Sequence, residues 1–233
     1  MKRHSFKYRQ SELIEWMDRA DCDLTTLNNT YRQFSIVNTM LSGWRRIYKT
    51  RIKPICTEKN KTYSLLDIGF GGGDIPIKLS KWALQDGINL QILAIELDDR
   101  ALDFVQTLNT PANVEFKKRH SSHLIDQGST FDIVICNHVL HHLKNEEVSE
   151  LIKHTEQLAK QRIIVCDIER NLLGFYLFKW ITPLLFKHSY IQEDGLISIQ
   201  RSFTFDELKS IIPNKWTLDQ MPFFRLLLTL DKT

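Results

Sequence analysis

The sequence predicts an α/β protein in which a helical N-terminal segment precedes a doubly wound, mostly parallel sheet. Three observations lead there. From Tyr63 onward, short apolar runs alternate with helical patterns. Four glycines fall within the five residues 69–73, directly after the first of those runs. Before Tyr63, apolar side chains recur at spacings of three and four, the period of a helix with one buried face.

Taken in order, Leu27, Tyr31, Phe34, Val37, Leu41, Trp44 and Tyr48 mark that buried face; Asp23 is placed to cap it and Pro54 to end it. Residues 1–55 therefore read as a helical cap or lid, and 56–233 as the main domain. Strands are expected near 63–68, 90–96, 113–117, 131–136 and 162–167, with helices over 74–86, 99–109 and 146–160. The first of these helices has Asp74 as a candidate N-cap, Pro76 in its opening turn, and Ile75, Leu79, Trp82 and Ala83 facing inward. Further on, Thr204 precedes FDELKSII as a cap, and KWTLDQM and FFRLLLTL around Pro222 read as an antiparallel edge pair. The apolar segment 172–186, LLGFYLFKWITPLLF, is shorter than the ~20 residues of a membrane span and is interrupted by Lys179 and Pro183. It reads as a helix packed on the core, or alternatively as an apolar wall for a greasy substrate.

Composition excludes some functions. Lys and Arg number 31 against 28 Asp and Glu, too even a balance for a chain built around a polyanion. Cys22, Cys56, Cys136 and Cys166 are far apart and form no CxxC pair, which argues against a zinc ribbon or disulfide framework and for a reducing compartment. The basic opening MKRHSFKYRQ lacks a following apolar stretch, so a cytoplasmic protein is expected.

The glycines pose the functional question, because such a cluster is costly unless the backbone turns tightly or something approaches it closely. A dinucleotide fingerprint counted from Gly69 and Gly71 would require glycine at 74, and Asp74 there would face a pyrophosphate with a carboxylate. A nicotinamide oxidoreductase is thereby disfavoured. The other spacing, acidic-x-Gly-x-Gly-x-Gly, is met at Asp67, Gly69, Gly71 and Gly73. This resembles the first motif of class I S-adenosylmethionine-dependent methyltransferases.

Two further stretches carry the resemblance: ILAIELDDRAL, with Glu96 closing an apolar strand, and FDIVICNHVLHHL, similar to the family's fourth strand and following turn. The resemblance implies a seven-stranded sheet with one antiparallel strand inside it, and S-adenosylmethionine as cofactor. It also implies roles: Asp67 toward the ammonium, backbone at Gly69, Phe70, Gly71 and Gly73 beside the cofactor, Glu96 on the ribose hydroxyls, Leu97 on adenine, and Asn137 bordering the site. Where the family usually has an acidic adenine contact, this chain reads KRHSSH, so His120 or Ser121 is expected to accept that bond instead.

The flanking stretches YRQFSIVNTMLSGWRR and DGLISIQRSFTFDEL resemble a bacterial subgroup of small class I methyltransferases, which implies a small-molecule acceptor. No Asn/Asp-Pro-Pro-aromatic run and no Pro-Cys nucleophile appears, so nucleic acid is not the expected partner. His138, just past the fourth strand, is the candidate base, and Asp167, Glu169, Arg170 and Asn171 after the fifth strand are candidate substrate contacts. His138 and His142 are four apart but lack an HExxH pattern, and no metal is expected. The acceptor reads as small, apolar or aromatic, and hydroxyl-bearing. A cofactor-binding scaffold without turnover is the alternative.

Overall fold

The computed structural model describes residues 6–232. Helix α1 (Leu24–Leu41) starts where the Asp23 carboxylate accepts the Thr26 N–H at 2.7 Å, which satisfies one of the orphan donors of a first helical turn. It stops at Gly43, whose φ of +70° turns the chain and lets Trp44 bury in the short α2 (Trp44–Ile47). Helical turns then carry Tyr48 and Ile52 into the core before β1 (Thr62–Ile68).

The doubly wound unit follows in chain order as α3 (Asp74–Gln85), β2 (Asn89–Glu96), α4 (Asp99–Gln106), β3 (Val114–Lys118), α5 (Ser121–Asp126), β4 (Phe131–Asn137), α6 (Asn145–Leu158) and β5 (Ala159–Ile168). Next come α7 (Leu172–Leu185), α8 (Ile191–Arg201) and α9 (Phe205–Ile211), then β6 (Thr217–Met221) and β7 (Arg225–Asp231). The sheet order is β3-β2-β1-β4-β5-β7-β6, parallel except for β7.

The two faces of the sheet divide its strand residues alternately, as a period of two requires. Leu66, Val134, Cys136, Ile163 and Val165 pack under α6 and α9, while Leu65, Ile133, Ile135, Ile164 and Cys166 pack under α2 and α3. Strands buried on both sides read as near-continuous apolar runs for this reason. All four cysteines are free thiols.

Several boundaries and faces differ from expectation. Helix α6 ends at Leu158, because buried Ala159 already pairs with Phe131 as the start of β5. Asp74 is the first helical residue and not the cap; Gly73 takes the N-cap position in the left-handed region, with φ +72°. Helix α5 was hidden in KRHSSH and starts on the His120 imidazole, which accepts from the Ser122 N–H. The final hairpin is the expected antiparallel pair at one edge of the sheet: β7, apolar on both faces, lies between β5 and β6, so that β6 is the rim strand on that side.

Helix α7 departs furthest. Only Gly174, Phe175 and Thr182 are buried along it, whereas Leu173, Trp180 and Leu184 are 60%, 66% and 79% exposed. No helix among the described residues is long and apolar enough to cross a membrane.

Candidate active site

In a sheet of this order, strands β1 and β4 send their connections to opposite sides, and a crevice opens at their carboxyl ends. A cavity of about 1010 Å³ occupies that position. One end is framed by the glycine loop and the ends of β1 and β2. The other is framed by α1, α7, α8 and the N-terminal strap.

At the first end, Asp67 is 1% exposed and its Oδ1 has no hydrogen-bond partner. Burial, then the nearby carboxylates of Asp74 and Glu96, push its pKa well above the ordinary carboxylate range. A cation in the cavity would relieve both costs. Gly69 has φ +83°, and a Cβ there would lie 2.4 Å from Val139 Cγ2, so the turn is closed to any side chain. Gly71, at φ +49°, is the opposite case: a Cβ there would meet nothing within 4 Å. Its bare backbone faces open cavity. The Gly71 N–H donates to Glu96 Oε2 at 3.2 Å and the Leu97 N–H to Glu96 Oε1 at 2.7 Å, so one carboxylate fastens the loop to the end of β2. Each oxygen keeps a second lone pair free for a ligand hydroxyl.

Phe70 lines the cavity from a cluster with Phe116 and Tyr31, and Leu97, 57% exposed, forms a lip beside it. His120 and Ser121 stand on the same rim, but the Ser121 hydroxyl is paired with His154 Nδ1 at 2.9 Å. Asn137 is held by the Trp44 indole N–H at 2.8 Å and borders the cavity from β4. Gly73 stays out of it: a Cβ there would lie 2.8 Å from Val105 Cγ1 and 3.1 Å from the Phe116 ring, and the glycine serves the left-handed helix start. The unpartnered Asp67 oxygen and the open cradle at Gly71 fit the zwitterionic, phosphate-free cofactor that the sequence implied.

The acceptor side rearranges the expected residues. His138 sits at φ +58° beyond β4, and the Arg225 guanidinium donates to its Nε2. Burial and then Arg225 push the His138 pKa well below the ordinary histidine value. As placed, it is a neutral wall with its accepting nitrogen occupied, which takes away the base role expected of it. Asp167 is buried behind the cavity, where its carboxylate accepts from His141 Nδ1 at 2.7 Å, a pairing that overcomes burial and holds its pKa low. Arg170 points the other way, onto the Ser202 carbonyl and the Glu207 carboxylate, and Asn171 caps α7 by accepting from the Leu173 and Gly174 N–H groups. Neither reaches the cavity. Of the four expected substrate contacts only Glu169 lines it, with Oε1 accepting from Gln220.

What the sequence did not reveal is the strap before α1. Asp194 of α8 accepts the Trp16 and Met17 N–H groups at 2.7 and 3.0 Å, and this folds Glu15 over the acceptor end. The Glu15 carboxylate is 2% exposed and faces His141 and His142. No local pattern around Glu15 signals this; the paired histidines of LHHL were the visible half.

Residues 65–171 match a protein family described as "Methyltransferase domain". No curated protein sequence matches the chain. Among solved structures, the magnesium protoporphyrin IX methyltransferase from Synechocystis PCC 6803 with bound SAH is 18% identical, with 87% of this chain and 98% of that one covered at a TM-score of 0.51. The plantazolicin methyltransferase BpumL in complex with SAH is 12% identical, with coverage of 90% and 95% at 0.61. Human N-acetylserotonin methyltransferase in complex with SAM is 13% identical, with coverage of 90% and 56% at 0.61. Likeness at these identities is a likeness of fold.

Proposed function

We propose, from the premise that the chain is a class I S-adenosylmethionine-dependent methyltransferase, that it methylates a small, apolar or aromatic, hydroxyl-bearing acceptor. The carrying observation is the contrast between the two ends of one cavity. Asp67, Gly71 and Glu96 gather charge and bare backbone at one end. Phe34, Val37, Leu177, Phe178, Ile181 and Phe186 wall the other with hydrocarbon and rings. Residues 1–55 act as the cap over that second end, and 56–233 as the cofactor domain. N-acetylserotonin, named for one of the solved neighbours, is a small aromatic hydroxyl compound of the kind this reading calls for.

The cofactor supplies a methyl group on a sulfonium, already activated for displacement. The chain's work is to orient and to exclude water. Asp67 holds the ammonium, Glu96 takes the ribose hydroxyls through its two free lone pairs, and Leu97 with the His120–Ser121 rim covers the adenine side. His138, backed by Arg225, fixes the wall beside Asn137. A cytoplasmic location and a small-molecule partner in place of nucleic acid belong to the same reading.

Calorimetry with S-adenosylmethionine, S-adenosylhomocysteine and NAD tests the cofactor, and NAD binding tighter than the other two would end this account. Incubation with labelled methyl donor and a panel of phenolic and aliphatic alcohols tests the reaction. Tight cofactor binding with no S-adenosylhomocysteine formed from any of the panel would favour a scaffold without turnover.

A further inference from the structure

We propose that Glu15, His141 and His142 form a binding site for a divalent transition-metal ion of the zinc(II) kind, open to the acceptor end of the cavity. Glu15 Oε1 lies 3.6 Å from His141 Nε2, and Glu15 Oε2 lies 3.9 Å from His142 Nε2. One donor atom from each of the three lies within 4.8 Å of the others. A tetrahedral ion with bonds of ~2.0–2.1 Å sets its donors about 3.3–3.5 Å apart. The two separations, to different oxygens of Glu15, exceed that spacing by a few tenths of an ångström, and donors within 4.8 Å of one another must draw together by up to about 1.4 Å to close on one ion.

The outer partners make the case stronger than proximity alone. His141 Nδ1 is bonded to the Asp167 carboxylate at 2.7 Å, and His142 Nδ1 to the Asp18 carboxylate at 3.1 Å. A carboxylate behind each ring fixes the tautomer with hydrogen on Nδ1 and leaves the Nε2 lone pair bare, which is how metal-ligating histidines are commonly supported. Both bare nitrogens face the same buried carboxylate. Ser198 gives that carboxylate a single hydroxyl bond of 2.7 Å.

Charge points the same way. Asp18, Asp167 and Asp194 stand around Glu15. The two nearby guanidiniums are turned elsewhere: Arg201 onto Asp18 and the His141 and His142 carbonyls, and Arg9 onto the carbonyls of Leu140, His141 and Leu143. Neither reaches Glu15. Imidazole and carboxylate together suit zinc, iron and their neighbours better than calcium or magnesium.

Three protein donors leave coordination positions for a ligand, as in catalytic and not closed structural sites. This deepens the proposed function and rests on it: the acceptor hydroxyl binds the ion, loses its proton to solvent water, and attacks as the oxygen anion. The new C–O bond forms as the methyl C–S bond breaks, and that electron pair stays on sulfur, turning the sulfonium into a thioether. The ion thus does what His138, occupied by Arg225, does not.

The test uses the full chain stripped with chelator and no cofactor present, titrated with zinc(II) by calorimetry and with cobalt(II) by visible absorption. About one ion per chain should bind, with a tetrahedral or five-coordinate cobalt spectrum. Glu15→Gln and His142→Ala should each weaken binding by ~100-fold or more, Asp18→Asn by ~10- to 100-fold. His123→Ala, a histidine outside the site, should bind as the parent does. No binding, or binding undiminished in the Glu15 and His142 variants, would overturn the proposal and leave the cluster an internal ion pair. Should either variant fail to fold, Asp18→Asn decides, since that carboxylate is more than a third exposed. Cofactor calorimetry on the same metal-free protein reads the methyltransferase assignment separately, so that failure of one does not mask failure of the other.

Discussion

Replacing Asp67 with asparagine should move stability and cofactor affinity in opposite directions. The carboxylate is buried, its Oδ1 has no partner, and Asp74 and Glu96 add repulsion. An uncompensated buried charge costs several kcal/mol, whereas an unsatisfied neutral amide costs about 1–3 kcal/mol. The ligand-free variant should therefore gain on the order of 1–2 kcal/mol where Asp67 is ionised, or roughly 2–8 °C in Tm for a chain of this size. The sign follows from linkage. A carboxyl whose pKa is raised by folding binds a proton in the native state that the unfolded state has lost, so the parent's stability falls as pH rises from the unfolded value of about 3.9 through the folded one. Asparagine removes that slope, and the gap in Tm should widen with pH. Loss of the charged bond to the cofactor ammonium, about 1.5–3 kcal/mol, should raise Kd by ~10- to 150-fold. Scanning calorimetry across pH reads the first effect. Titration calorimetry in two buffers of different ionisation enthalpy reads the second, and shows the proton that the parent releases on binding. A variant that melts lower than the parent yet binds the cofactor equally well would refute the reasoning.

Glu96→Ala should weaken cofactor binding by at least ~10-fold, since even one charge-assisted bond is worth about 1.5 kcal/mol. Glu96→Gln should fall between parent and Ala because the amide keeps one acceptor oxygen; a dissociation constant for the Ala variant equal to the parent's would remove the ribose assignment. Gly71→Val should abolish measurable cofactor binding while costing only the ~1–2 kcal/mol of a branched residue at positive φ, because its side chain projects into open cavity. Gly69→Val should instead unfold the protein or lower its Tm sharply, since the first carbon already collides with Val139. If the two glycines behaved alike in melting and binding, the cradle would lie elsewhere.

The parts of this molecule that repeat a local rule could be read directly from the chain. β1 and β4, buried on both faces, declare themselves as LLDI and IVIC, and the loop's glycines show where backbone must turn left-handed. Glu96 was legible because a carboxylate closing an apolar strand needs a partner. The misread residues share a different cause. Arg170 and Asn171 follow a strand as site residues do, but their side chains are consumed by α9 and by the first turn of α7. Asn171 ahead of LLGF carried a capping signal that outweighed its position. Arg225 reaches His138 from a strand 87 residues away, and Glu15 is brought over the cavity by Asp194, 179 positions later. Contacts of that range leave no trace in neighbouring residues. Helix α7 misled for another reason: an apolar composition predicts burial only when the residues share a face, and here they surround the axis.

The placement of β7 sets a timetable. The strand that joins β5 to β6 is translated after both, so β6 leaves the ribosome with no strand to pair with until residues 225–231 follow it. A lone hairpin is marginal in water, and its docking on β5 is what secures it. The parallel half, with the glycine loop, Asp67 and Glu96, has all its strands by residue 168. Arg225 comes with the last strand and only then occupies the nitrogen of His138. The nascent chain can thus assemble its cofactor cradle while the acceptor wall is still unfinished, and the two halves of the cavity mature in that order.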